Sequence, residues 1–104
     1  MVTVANEENF EELLKGEFVI VDFFSTTCGP CKVLSRLLEN IEFDMPFISL
    51  VKVNVTDHPL LGQKYEIDAV PTLFFMKNGE MKEREVGLIS EDEIKEKIGE
   101  YYYA

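Results

Sequence analysis

The sequence predicts an α/β domain: a central mixed β-sheet of about five strands flanked by four helices. Three observations predict it. Apolar runs with strand character alternate with helical stripes along most of the chain, the pattern of parallel βαβ units. The segment Phe18-Val19-Ile20-Val21-Asp22-Phe23-Phe24 is apolar on both faces apart from Asp22, as a strand in the middle of a sheet must be. Lys77-Asn78-Gly79-Glu80 carries the Asn-Gly signal of a tight hairpin, so the last two strands pair antiparallel.

Each element follows from local chemistry. Val2-Thr3-Val4-Ala5 is a short β-like start. Asn6 reads as a helix N-cap, with Glu7 and Glu8 in a first turn where the helix dipole favours negative charge. Phe10, Leu13 and Leu14 then share one helical face, and Gly16 ends the helix. After the strand over 18–24, the positions of Val33, Leu34, Leu37, Leu38 and Ile41 form the apolar stripe of a second helix. Phe47 to Val55 is a second long strand. Asp57-His58-Pro59 opens a short helix over 60–65, with His58 a loop residue. Thr72 to Met76 is the third long strand, and Met81 to Val86 is its hairpin partner, ended by Gly87. Ser90-Glu91-Asp92-Glu93 is a capping box for a last helix lined by Ile94, Ile98 and Tyr101 or Tyr102. The Tyr101-Tyr102-Tyr103 run is expected to pack at that helix end.

Length and composition bound what such a domain does. With 104 residues, 46% of them hydrophobic and 29% charged, one domain over residues 1–104 accounts for the whole sequence. No apolar run approaches the roughly 18 residues of a membrane-spanning helix, so no membrane partner is expected. The segment from Met1 to Glu8 has neither a basic region nor a long apolar stretch, which predicts a cytoplasmic protein. Twenty acidic against ten basic residues give a formal charge of −10, which repels phosphate backbones and excludes nucleic acid as an expected partner. The same charge favours solubility and partners with basic docking faces.

The two cysteines, Cys28 and Cys31, are separated by two residues. So short a loop makes a poor structural staple, leaving redox activity or metal binding as the open readings. Zinc usually takes four ligands, and His58 is the only histidine in the sequence. The placement of Cys28-Gly29-Pro30-Cys31 matters more than its spacing: it follows a buried strand and opens a helix. A thiol there faces unsatisfied N–H groups and the positive end of the helix dipole, which favour the nucleophilic thiolate. Pro30 is tolerated because its missing N–H is not needed in a first turn. Cys28 is therefore expected to be the exposed, attacking sulfur and Cys31, one turn further in, the buried resolving one. Asp22, within an apolar strand, should have a raised pKa and hold or accept a proton near neutrality. No G-x-G-x-x-G fingerprint is present, so no nucleotide cofactor is expected.

Val21-Asp22-Phe23-Phe24, Cys28-Gly29-Pro30-Cys31-Lys32, Val70-Pro71-Thr72, Lys77-Asn78-Gly79 and Gly87 resemble the thioredoxin family in order and spacing, over essentially the whole chain. The resemblance implies a thioredoxin fold and a protein disulfide reductase that needs no cofactor beyond the Cys28–Cys31 disulfide. It makes Cys28 the sulfur that forms a mixed disulfide and Cys31 the one that displaces the reduced product. It makes Asp22 the buried carboxylate that moves the resolving cysteine's proton. Lys52 matches the lysine beside that carboxylate, although by itself it reads equally as a solvated strand lysine. Pro71 matches a cis-proline, beside which Val70 offers backbone hydrogen bonds to an extended substrate. Gly87 matches a glycine that leaves room for the partner, and Thr27, Gly29 and Pro30 complete the docking surface.

The implied partners are protein disulfides and a thioredoxin reductase as electron donor, with the chain itself a monomer. Gly29-Pro30 between the cysteines favours a reducing role. Three positions depart from the family: Thr27 and Phe24 stand where it usually has Trp, and Arg36 where it usually has a proline that kinks the second helix. A straighter second helix is expected. The loss of the docking Trp leaves two rival readings, a dedicated electron donor to one partner such as a peroxidase, or a non-catalytic binding module on the same fold.

Overall fold

The computed structural model describes residues 1–103. Nine elements follow in order: β1 (Val2–Val4), α1 (Phe10–Leu13), β2 (Phe18–Phe24), α2 (Gly29–Asp44), β3 (Ser49–Asn54), α3 (Pro59–Lys64), β4 (Thr72–Lys77), β5 (Glu80–Val86) and α4 (Glu91–Tyr102). They build the expected mixed sheet, with strand order β1-β3-β2-β4-β5. β3 runs parallel to both β1 and β2, whereas β4 is antiparallel to β2 and to β5. The parallel pairs need helical crossovers, supplied by α1 and α2; the β4–β5 pair needs only a two-residue turn. Asn78 and Gly79 make that turn with φ of 51° and 80°, the positive values that a primed hairpin turn demands.

β2 is the central strand, and its side chains alternate between two cores. Phe18 and Ile20 pack with Leu34, Leu38 and Ile41 of α2 and with Ile94 and Ile98 of α4. Val19, Val21 and Phe23 pack on the opposite face with Phe10 of α1 and Leu61 of α3. The period of two therefore aims Asp22 at the α2–α4 side, in register with Lys52 on β3 and Leu73 on β4. Tyr101 and Tyr102 pack against the α2–α4 core at the end of α4, as expected, whereas Tyr103 is exposed. Ser90 caps α4 by accepting from the Glu93 N–H at 3.1 Å, and its hydroxyl donates to the Glu93 carboxylate at 3.2 Å.

Several boundaries differ from expectation. The Asn6 side chain accepts from the N–H groups of Glu8 and Asn9, both at 2.9 Å, as a cap should. Residues 7–9 nevertheless form a turn, and the α-helix starts only at Phe10. The Asn9 side chain accepts from the Asn6 N–H at 2.7 Å, a reciprocal bond that closes this turn on itself. β3 is shorter than the strand expected over 47–55, because Phe47 lies in a turn and stacks on Tyr102 with ring centroids 4.4 Å apart. Val33 does not join the core stripe: it is 49% exposed, while Cys31 takes the buried position at the start of the helix. α2 runs as one α-helix through Arg36.

The corrected stripe sets a stability test. Leu38→Ala removes a side chain buried between sheet and helix and is expected to cost about 2–5 kcal/mol. Val33→Ala removes a largely hydrated one and should stay within about 0.5 kcal/mol of the parent. Urea denaturation midpoints of the two variants, compared at equal m-value, check the difference.

Candidate active site

The site is built at the carboxyl end of β2, where the strand stops and α2 begins. Cys28 occupies the N-cap of α2 in an extended conformation, with φ of −101° and ψ of 110°. Its Sγ accepts from the Cys31 N–H at 3.2 Å, the place a capping oxygen usually fills. Pro30 sits in the first turn, where no N–H is missed. The two sulfurs are joined in a disulfide. Cys31 is only 2% exposed. Cys28 is half-buried rather than exposed, because the Val70 carbonyl oxygen lies 3.9 Å from its sulfur. Thr27, Gly29 and Pro30 are exposed around it.

The segment before β4 supplies the opposite wall. The Val70–Pro71 peptide is cis, as expected, with Val70 half-buried and Pro71 buried. The Thr72 hydroxyl donates to the Ala69 carbonyl at 2.7 Å, fixing the turn into β4. The Gly87 N–H donates to the Pro71 carbonyl at 2.8 Å and ties the end of β5 to the same segment. Gly87 has φ of +97°, a conformation that strains any residue with a Cβ. A Cβ there would meet no atom within 4 Å, so the space before it is open.

On the α2–α4 side of β2, Asp22 is fully buried, and neither carboxylate oxygen has a hydrogen-bond partner. Burial pushes its pKa up to about 7, against the pull of the Lys52 ammonium and with the Glu39 carboxylate adding to the rise. The raised value agrees with the reading of an acid in an apolar strand. Lys52 stands opposite Asp22 in the β2–β3 register but makes its bonds elsewhere. Its Nζ donates to the Ser35 hydroxyl and lies 3.5 Å from Glu39 Oε2. The ammonium also lies 5.6 Å from the centre of the Phe24 ring. It is thus neither a freely solvated lysine nor an ion-pair partner of Asp22.

Ser35 and Glu39 were not legible as site residues. They are one helical turn apart, with the hydroxyl donating to the carboxylate at 3.0 Å, and such a pair on a helix reads as a solvated polar face. Beside them opens a cleft of about 490 Å³, bordered by Phe24, Cys31, Lys32, Arg36, Glu39 and Asn54. His58 stands apart from the site at the start of α3, its Nδ1 2.6 Å from Glu7 Oε1. Among the described residues, no cluster of three His, Cys, Asp or Glu side chains is placed to hold a metal ion.

Comparison with known proteins agrees with this geometry. The thioredoxin family model matches residues 1–100. A thioredoxin of Chlamydia caviae is 38% identical over 94 residues, covering 90% of this chain and 92% of that one. The chloroplastic M-type thioredoxin of Pisum sativum is 32% identical over 103 residues, covering 96% of this chain and 60% of that one. Among solved structures, Fasciola hepatica thioredoxin superposes with a TM-score of 0.85 at 31% identity, over 97% of this chain and 99% of that one. A mutant thioredoxin from Halobacterium salinarum gives a TM-score of 0.87 at 28% identity, over 97% of this chain and 89% of that one. The chain belongs to the thioredoxin family and is a protein disulfide oxidoreductase that works by dithiol–disulfide exchange.

Proposed function

We propose that the chain reduces protein disulfides with Cys28 as the attacking sulfur and Cys31 as the resolving one. The observation that carries this assignment is the Cys31 N–H directed at Cys28 Sγ, at 3.2 Å, from the first turn of α2. That donor and the helix dipole stabilise a thiolate on Cys28 and offer nothing equivalent to Cys31. In the dithiol form, the Cys28 thiolate attacks one sulfur of a target disulfide, and the other target sulfur leaves as a thiolate that takes up a proton. The Cys31 thiol then gives its proton to the Asp22 carboxylate and attacks Cys28 Sγ. The Cys28–target bond breaks and the second target thiolate departs. The target has gained two electrons, and the Cys28–Cys31 disulfide holds the oxidation.

Asp22 serves as the base because burial brings its pKa close to the working pH. Lys52 moderates that value through its charge. Val70 and Pro71 form the backbone edge on which an extended target segment lies, and Thr27, Gly29, Pro30 and Gly87 border it. The catalytic cycle needs no cofactor or metal. A separate thioredoxin reductase returns the disulfide to the dithiol. The protein acts as a monomer, one domain over residues 1–104, in the cytoplasm, without membrane or nucleic-acid partners. Among the described residues no helix is long and apolar enough to cross a membrane. Thr27 in place of a flat aromatic leaves a smaller side chain beside Cys28.

Three measurements check this reading. Dithiothreitol-driven reduction of insulin should be accelerated by the parent protein and not by Cys28→Ser. Cys31→Ser should accumulate mixed disulfides with many cellular proteins, since the resolving step is lost; a single trapped species would instead identify a dedicated donor. The buried carboxylate also fixes a stability profile. Well below pH 4, folded and unfolded chains both hold the Asp22 proton. From there to about pH 7 the unfolded chain releases it while the folded one keeps it, so stability falls as pH rises. The full loss is on the order of 4 kcal/mol above about pH 7. Asp22→Asn should remove this slope. Urea denaturation of the two oxidised proteins at pH 5 and about pH 8 reads the difference while the cysteines do not titrate.

A further inference from the structure

Lys52 has two directions open to it. One leads along the sheet to Asp22, its register partner, whose two oxygens lack any donor. The other leads to α2, where Ser35 and Glu39 hold its Nζ. A buried carboxylate beside an ammonium would ordinarily form an ion pair and stay ionised. In this chain the ammonium is engaged by the helix instead, and its side chain is only 16% exposed, so it is not simply drifting in solvent.

We propose that Ser35 and Glu39 are positioning residues that draw Lys52 away from Asp22 and so keep that carboxylate able to take a proton from Cys31. The inference rests on the reading of Asp22 as the base and extends it to the groups that regulate it. The charges facing Asp22 come from two neighbours. β3 contributes Lys52, and α2 contributes Glu39. β4 contributes uncharged Leu73 at the register position. Glu39 therefore acts twice: through space on Asp22, and by holding the one cation that would oppose burial. Ser35 is neutral and acts only through Lys52. Lys32 and Arg36 border the adjoining cleft and project from exposed positions on α2.

The test is the Asp22 titration in the oxidised protein, followed by the carbon-13 shift of its carboxyl group. Five full-length chains are compared: the parent, Ser35→Ala/Glu39→Gln, Lys52→Met, the triple variant and Ser35→Thr. Releasing Lys52 should bring it onto Asp22 and lower the carboxyl midpoint by about one pH unit beyond the direct loss of the Glu39 charge. The direct part is measured by comparing Lys52→Met with the triple variant, where no ammonium remains to move. Ser35→Thr, which keeps the hydroxyl, should leave the midpoint at the parental value. Equal changes with and without Lys52, or no change in either background, would overturn the proposal. The titration involves no turnover. If Asp22 is not the base, Asp22→Asn will keep the parental pH profile of insulin reduction, and the titration result will stand independently.

Discussion

β2 is hydrogen-bonded along both edges, to β3 and β4, and covered on both faces, by α2 and α4 on one side and α1 and α3 on the other. A strand so enclosed accepts almost only apolar side chains, and six of its seven positions are buried. It also ends at a fixed point. The loop that follows is pinned to the end of β3: the Thr26 N–H donates to the Thr56 hydroxyl at 3.1 Å, and the Asn54 amide donates to the Thr26 hydroxyl at 3.2 Å. The N-terminus of α2, and with it Cys28, is thereby held against a rigid strand end. Placing reactive groups beyond the carboxyl ends of strands is the general solution of open α/β sheets.

The same enclosure treats two ionisable groups in opposite ways. Cys28, at the helix start, receives an N–H and the positive end of a dipole, so its environment supports a negative charge. Asp22, six residues earlier in the sequence, receives no hydrogen bond, so its environment opposes one. Pushing two groups apart in this way is what the proposed division of labour requires, with Asp22 as the proton acceptor and Cys28 as the nucleophile. The arrangement lowers stability at neutral pH, because an ionised carboxylate in that layer is poorly solvated. An uncharged residue would pack there more favourably, and its presence would remove the acceptor.

What was legible in the sequence followed from short-range rules. The two-faced strand over 18–24, the Asn78-Gly79 turn, the Ser90 cap and the cysteines at a helix start each depend on a few neighbouring residues. All four stand in the structure. The misreadings arose where several local solutions compete. Asn6 and Asn9 satisfy one another in a turn, which delays α1 by several residues although Asn6 caps as its chemistry suggests. Val33 belongs to an apolar-looking stripe, but the buried face of the helix runs through Cys31, Leu34, Leu38 and Ile41 and leaves Val33 outside it. The pairing of Lys52 with Ser35 and Glu39 depends on how β3 and α2 approach one another in space, and no spacing along the chain reports that.

Net charge illustrates the same limit at the level of partners. The formal charge of −10 suggests attraction to basic surfaces, yet that sum is gathered over the whole molecule. Part of the acidic excess lies on β5 and α4, where Glu83 and Glu85 share Lys97 and the first turn of α4 holds Glu91, Asp92 and Glu93. Beside the disulfide the balance differs, because Lys32 and Arg36 stand one helical turn apart at the edge of the cleft that Cys31 borders. At physiological ionic strength, fields between exposed charges fade over about 8 Å. A distant partner in dilute salt responds to the total charge, whereas a group at the cleft meets the local one. Charge thus acts at two ranges, and the sequence total describes only the longer one.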